Sequence, residues 1–297
     1  MSDTSTHDVL VIGAGVAGLS AARAALQAGL STAYLEAQMF GGLVLNVNEL
    51  DGSVSGSGAD YASELMGDVL RSGGENLEAV ASGIDAEGGS LVVTSDAGRH
   101  RAKAVIVASG AALKKLGVPG EAELEHKGVS HCADCDGPMF QDQVVAVVGG
   151  GDSALQSALV LAQFCRTVHL VHRGQAFTAA QHFQDAVKAA SNIQVRFGSE
   201  VSQVLGGDGV EGVRIDGEVV PCTGFFAFIG LEPNSSFLPP SIQRDGRGAV
   251  VTSDSLETAM PGVYAAGAVR AGCGGMIEDA VKEGEAAARA VAAKLRG

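Results

Sequence analysis

Two copies of one short pattern constrain this chain more than anything else in it: a buried apolar run, a glycine-rich turn, and an alanine-rich helix. The first copy runs through Val9-Leu10-Val11-Ile12, then Gly13-Ala14-Gly15-Val16-Ala17-Gly18, then Leu19 to Ala28, stopped by Gly29. The next strand is expected over Thr32-Ala33-Tyr34-Leu35-Glu36. An apolar run without alternation suits a parallel strand buried on both faces. In G-x-G-x-x-G the glycines let the backbone reach a pyrophosphate at a helix N-terminus, and an acid about 20 residues on binds a ribose diol. Gly13, Gly15, Gly18 and Glu36 fill those places.

The second copy runs through Val144–Val148, Gly149-Gly150-Gly151-Asp152-Ser153-Ala154, a helix through Phe164, and Val168–Val171 ending at His172-Arg173. Ala154 stands for the third glycine, a permitted variant, and Arg173 replaces the acid, which suits a 2′-phosphate better than a free diol. The expected fold is therefore α/β, with two Rossmann-like dinucleotide-binding domains, the second inserted into the first. Residues 1–114 and 240–297 form the outer domain and 115–239 the inserted one, with linkers over Lys114–Glu121 and Leu231–Pro240. Between the motifs the pattern predicts a polar loop over Asn46–Gly58, a helix over Tyr61–Leu70, and short strands over Leu77–His100 with a separate buried strand over Ala104–Ala108. Further strands are expected over Ile193–Phe228, then a segment from Val250 through Pro261 to Gly267 in which a strand enters a glycine turn, and a final helix over Met276–Leu295.

Between the two turns lies His131-Cys132-Ala133-Asp134-Cys135-Asp136-Gly137-Pro138. A C-x-x-C pair spans about one helical turn, so one thiolate can attack a disulfide and the other resolve the mixed product. The same spacing makes half of a zinc knuckle, but no second C-x-x-C or C-x-x-H occurs, and Cys165, Cys222 and Cys273 are singly scattered. Redox exchange is expected, and no metal. The net charge of −14 opposes nucleic acid or an anionic membrane as partner. Five cysteines in 297 residues are too few for a disulfide scaffold. Met1–His7 lacks the basic and apolar regions of a signal peptide, and no apolar run approaches bilayer length, so a cytoplasmic location is expected.

Taken in order, Gly13–Gly18, Gly41-Gly42, Ala108-Ser109-Gly110, Cys132–Gly137, Gly149–Ala154, Ile229–Asn234 and Pro261–Gly267 resemble the low-molecular-weight thioredoxin reductases among flavin disulfide oxidoreductases. The resemblance implies FAD in the outer domain, contacted also by Gly41, Gly42, Ala108, Gly110, Gly267 and Ala268. It implies NADPH or NADH in the inserted domain, at Gly149, Gly151, Asp152, Ser153, His172 and Arg173. It makes Cys135 the sulfur nearest the flavin, Cys132 the sulfur that attacks the partner disulfide, and Asp136 the acid that manages the thiol proton. A thioredoxin-like protein or a small-molecule disulfide or dithiol is the implied partner, and a homodimer the implied assembly.

Several positions depart from the family pattern. Ala268 replaces an Asp that holds the ribityl chain, Gly275-Met276 an Arg-Gln pair that touches the flavin, and Leu43 a Gln. Gly174 and Thr178 replace two of three cations around the 2′-phosphate. Each lost charge-assisted hydrogen bond weakens binding by roughly 1.5–3 kcal/mol. Two alternatives accompany the reductase reading: a dithiol oxidase or non-nicotinamide-dependent relative, and a non-catalytic redox-sensing or binding protein with eroded nucleotide sites.

Overall fold

The computed structural model describes residues 6–47, 50 and 56–297, so most of the loop expected over Asn46–Gly58 lies outside the described residues. One compact unit comprises Met1–Ala112 and Glu232–Gly297, and a second comprises Leu113–Leu231. The first segment of the outer unit contains β1 Thr6–Ile12, α1 Val16–Gln27, β2 Thr32–Leu35, α2 Gly58–Arg71, β3 Glu75–Asn76, β4 Ala81–Glu87, β5 Ser90–Ser95 and β6 Gly98–Val107. After β7 (Ala111–Leu113), the inserted unit contains β8 Val129–Ser130, α3 Ala133–Asp136, β9 Val144–Val148, α4 Asp152–Ala162, β10 Thr167–His172, α5 Gln181–Ala189 and β11 Ile193–Phe197. It continues with β12 Val201–Gly206, β13 Val210–Ile215, β14 Glu218–Pro221 and β15 Gly224–Ala227. After β16 (Leu231–Pro233), the chain returns through β17 Val263–Ala265 to α6 Ile277–Arg296.

The outer sheet has the order β3-β2-β1-β6-β5-β4, with β17 also pairing β6. β1 lies parallel to β2 and to β6, so the strand order reverses beside it. A crevice at such a reversal, beyond the carboxyl ends of the strands, is where open α/β sheets bind ligands. β6 joins what the sequence pattern separates. Its first half pairs antiparallel with β5 and its second half parallel with β17. Alternation with outward Arg99 and Lys103 gives way to unbroken burial from Ala104, so the pattern changes while the backbone stays extended. In the last segment the strand is β17, which runs into the turn at Gly267, while Val250 forms isolated bridges outside any strand.

Successive residues of β1 feed two cores. Val9 and Val11 pack with α1, α2 and α6, while Leu10 and Ile12 pack with Ile84, Val93 and Leu238. α1 and α6 meet at Gly284, where a Cβ would stand 2.2 Å from the Ala17 carbonyl oxygen. Gly284→Ala is therefore expected to force the helices apart and to cost about 1–3 kcal/mol, read as a lower Tm.

The inserted unit has a parallel sheet of order β11-β10-β9-β15-β8 beside an antiparallel β12-β13-β14 sheet. Here the order reverses beside β9. α5 escapes the sequence reading although Phe183, Val187 and Ala190 recur at helical spacing; only Val187 is fully buried, and the other two pack partly buried against the same core.

His100 on β6 and His169 on β10 are both buried. Burial pushes both imidazoles below the usual value of 6.5, with further contributions from His7 at His100 and, foremost among charges, Arg196 at His169. The unfolded chain thus binds more protons as pH falls, so stability present above about 6.5 is lost through the lowered folded values. The Tm is expected to be lower at pH 5.5 than at pH 7.5, with a smaller difference in the His100→Gln, His169→Gln double variant.

Candidate active site

The cysteine turn follows from the local sequence. β8 ends at Ser130, Cys132 keeps extended backbone and caps α3, and the helix carries Cys135 and Asp136 one turn on. Cys132 and Cys135 form a disulfide with Cα atoms 5.3 Å apart. The Cys135 N–H donates to Cys132 Sγ at 3.1 Å, and the Asp136 N–H donates to the Cys132 carbonyl at 3.1 Å. Cys135 is exposed and Cys132 half-buried.

Ser130 is a residue the sequence reading missed. Its buried hydroxyl donates to Asp136 Oδ2 at 2.6 Å and accepts from the Cys132 N–H at 3.2 Å. The available signal was its place two residues before Cys132, the spacing that puts side chains on one face of an extended stretch. His131 points its Nε2 at Glu125 Oε1, 2.8 Å away, and Lys115 Nζ lies 3.1 Å from the other oxygen. Burial acts to raise the Glu125 carboxyl, but the Lys115 hydrogen bond and the His131 charge outweigh it and hold the group below its ordinary value. Burial pushes the Cys165 thiol up to about 11 and Cys222 up to about 12. Both remain unreactive thiols. Cys273 is also raised, first by burial.

In the outer unit, Gly13, Gly15, Gly18, Glu36, Gly41, Ala108 and Gly267 converge at the carboxyl ends of β1, β2, β6 and β17. A Cβ at Gly13 would strike the Ala108 carbonyl oxygen at 2.5 Å and one at Gly18 the Gly13 carbonyl oxygen at 2.0 Å. At Gly15 the nearest atom would be Gly41 O at 3.7 Å, which leaves room over the turn at the start of α1. Glu36 Oε2 accepts from the Ala14 N–H at 3.1 Å and Oε1 from the Gln38 N–H at 3.0 Å, which aims the carboxylate and leaves each oxygen a lone pair for a ribose hydroxyl. This cradle fits an adenine dinucleotide. Gly110 accepts from the Asn234 N–H at 3.0 Å, and Gly42 opens a short 3₁₀ turn.

The turn at Gly267-Ala268-Val269 has no acid of its own. Instead Glu283, from α6, accepts from the Gly267 N–H and from Arg270 Nε, both at 2.9 Å, and from Arg270 Nη2. The Arg270 and Glu283 side chains are 17% and 13% exposed, so this is a buried, forked ion pair. The sequence reading passed over it because thirteen residues separate the partners.

In the inserted unit, Gly151 precedes α4 and has Thr178 Oγ1, at 3.8 Å from a Cβ position, as its nearest neighbour. A pyrophosphate fits that turn as well. Asp152 and Ser153 are exposed on the first turn of α4, and Asp152 Oδ1 accepts from the Ala180 N–H at 2.6 Å. His172 packs beside the glycine turn, whereas Arg173 is exposed and forms no ion pair among the described residues.

A family model for pyridine nucleotide-disulphide oxidoreductases matches residues 7–292. The chain belongs to that family. It is 33% identical to a thioredoxin reductase of Treponema pallidum over 97% of both chains, and 36% identical to one of Mycolicibacterium smegmatis over 90% of both. Its structure matches that of a thioredoxin reductase of Lactococcus lactis with a TM-score of 0.90 and 31% identity, covering 96% of this chain and 97% of the other. A thioredoxin reductase of T. acidophilum matches with a TM-score of 0.91 and 29% identity, covering 98% and 99%. The chain is thus an α/β enzyme of the flavin disulfide oxidoreductase family, thioredoxin reductase-like, with FAD and a pyridine nucleotide as the family's cofactors. These relatives favour disulfide reduction over dithiol oxidation or a non-catalytic role. Among the described residues no helix is long and apolar enough to cross a membrane, and no group of three or more His, Cys, Asp or Glu is placed to hold a metal.

Proposed function

We propose that this protein reduces the disulfide of a thioredoxin-like protein, or of a small-molecule disulfide, with electrons from NADPH or NADH. The observation that carries the reading is the Cys132–Cys135 disulfide, held with Asp136 and Ser130 in a unit that also carries a dinucleotide cradle. In this proposal Gly13, Gly15, Gly18, Glu36, Gly41, Gly42, Ala108, Gly110, Gly267 and Ala268 hold FAD. Gly149, Gly151, Asp152, Ser153, His172 and Arg173 face the nicotinamide dinucleotide. FAD, when bound, relays two electrons from the nicotinamide to the disulfide.

The chain's own residues then do the following. Two electrons break the Cys132–Cys135 bond and leave one thiol and one thiolate. Asp136 Oδ2 is engaged by Ser130, so the proton exchanged with the leaving sulfur is carried at Oδ1. The Cys135 N–H aimed at Cys132 Sγ favours negative charge on that sulfur. Cys132 therefore attacks the substrate disulfide, forming a mixed disulfide and releasing one substrate thiol. Cys135 displaces the second substrate thiol and restores the internal bond. A cytoplasmic homodimer is the assembly that goes with this activity in the proposal.

Thioredoxin disulfide reduction by the FAD-loaded protein, followed with each nucleotide, tests the reading. A yellow protein that consumes nucleotide in step with released thiols supports it, and one that stays colourless with FAD supplied overturns it. Ser130→Ala is expected to slow turnover roughly tenfold, since the acid loses a charge-assisted hydrogen bond of about 1.5–3 kcal/mol. Ser130→Thr, which keeps the hydroxyl, is expected to restore it.

A further inference from the structure

We infer that the inserted unit holds the adenosine half of its dinucleotide by stacking on Phe197, and that it gives no advantage to a 2′-phosphate. The inference rests on reading Gly149–Ala154 as a dinucleotide cradle. Three rings meet beside that turn. His172, the last residue of β10, packs 5.8 Å from Phe177 and 6.4 Å from Phe197, and the two phenylalanine rings are 4.7 Å apart between centroids. A Cβ at Gly150 would lie 2.3 Å from the His172 ring, so the imidazole rests directly against the glycine turn.

Phe197 closes β11, the neighbour of β10 in the parallel sheet. The Gly198 N–H donates to Gly174 O at 3.0 Å and the Ser199 N–H to His172 O at 3.2 Å, which ties together the loops after the two strands. The rings thus form a ledge at the carboxyl ends of adjacent strands, the end of an α/β sheet where ligands bind. Phe197 remains 41% exposed, large for an aromatic side chain packed against two others. An adenine has a π-face whatever its ribose carries, so a stacking ledge grips the base without reading the 2′ position.

Apart from Arg173, the groups beside the turn that could receive a 2′-phosphate are already engaged. His172 Nε2 donates to the Ala176 carbonyl at 3.1 Å and the Thr178 hydroxyl to the Gly150 carbonyl at 3.2 Å. Arg196 is 2.9 Å from Glu218. Asp152 puts a carboxylate on the first turn of α4. Arg173 remains as an exposed cation, and a single exposed charge contributes little.

Calorimetric titration of the FAD-loaded protein with 5′-ADP and with 2′,5′-ADP tests this. The two Kd values are expected to agree within about threefold, and Phe197→Ala to weaken both by about fivefold or more. Phe197→Leu, which keeps the bulk and loses the ring, is expected to weaken both as well, and Phe197→Tyr to bind as the parent does. A preference of about tenfold or more for 2′,5′-ADP, or unchanged 5′-ADP affinity in a folded Phe197→Leu, would overturn the inference while leaving the reductase reading intact. If the parent protein binds neither fragment, and NADH and NADPH also fail to bind, the cradle reading falls and the inference with it.

Discussion

Replacing Cys132 with Ser is expected to lower disulfide reductase turnover roughly a thousandfold or more, because the attacking nucleophile is gone and the remaining Cys135 has no partner sulfur to resolve a mixed disulfide. Cys165 and Cys222 are buried and held as thiols far above neutral pH. The variant leaves Cys135 as a free thiol, and on the reading that makes Cys135 the sulfur nearest the flavin, a long-wavelength absorbance band is expected in the FAD-loaded protein. Cys135→Ser is expected to lose turnover without gaining the band. Cys273→Ser, raised by burial and distant in sequence from the pair, is expected to keep full turnover. An unchanged spectrum together with full activity in FAD-loaded Cys132→Ser would reverse the roles assigned to the two sulfurs.

The second large effect is expected at Arg270. Arg270→Ala leaves the Glu283 carboxylate buried without its counter-ion, a loss of about 3–5 kcal/mol for pairs of this kind. The Tm is expected to fall by roughly 10 °C. Because Glu283 also accepts from the Gly267 N–H, the turn that replaces the family's acidic flavin contact loosens too, and FAD content after purification is expected to drop. A double Arg270→Met, Glu283→Leu variant removes both charges and is expected to recover most of the stability, since paired removal of buried charges costs far less than breaking the pair. Equal melting temperatures for Arg270→Ala and the parent would show that the ion pair does not hold the turn.

Local chain chemistry is written directly in the sequence, and that part was legible. The apolar runs at Val9–Ile12 and Val144–Val148, each running into a glycine turn, mark β1 and β9, the strands that pair in parallel on both sides and beside which the strand order reverses. The C-x-x-C spacing brings two sulfurs within one turn because they stand three positions apart. What depends on residues far apart in the chain was decided by tertiary structure. Glu283 reaches the Gly267 turn because α6 packs across α1 at Gly284, and a spacing of sixteen residues carries no periodic signal. Phe197 joins His172 because β11 pairs with β10 in a parallel register that sets these two residues opposite each other, a pairing that no local motif announces. Ser130 lies between these cases: its distance from Cys132 was readable, but its hydrogen bond to Asp136 exists because α3 turns the chain back over the end of β8. Sequence specified the reactive groups, and the long-range packing of strands and helices decided which of them share a hydrogen bond, a charge or a ring face.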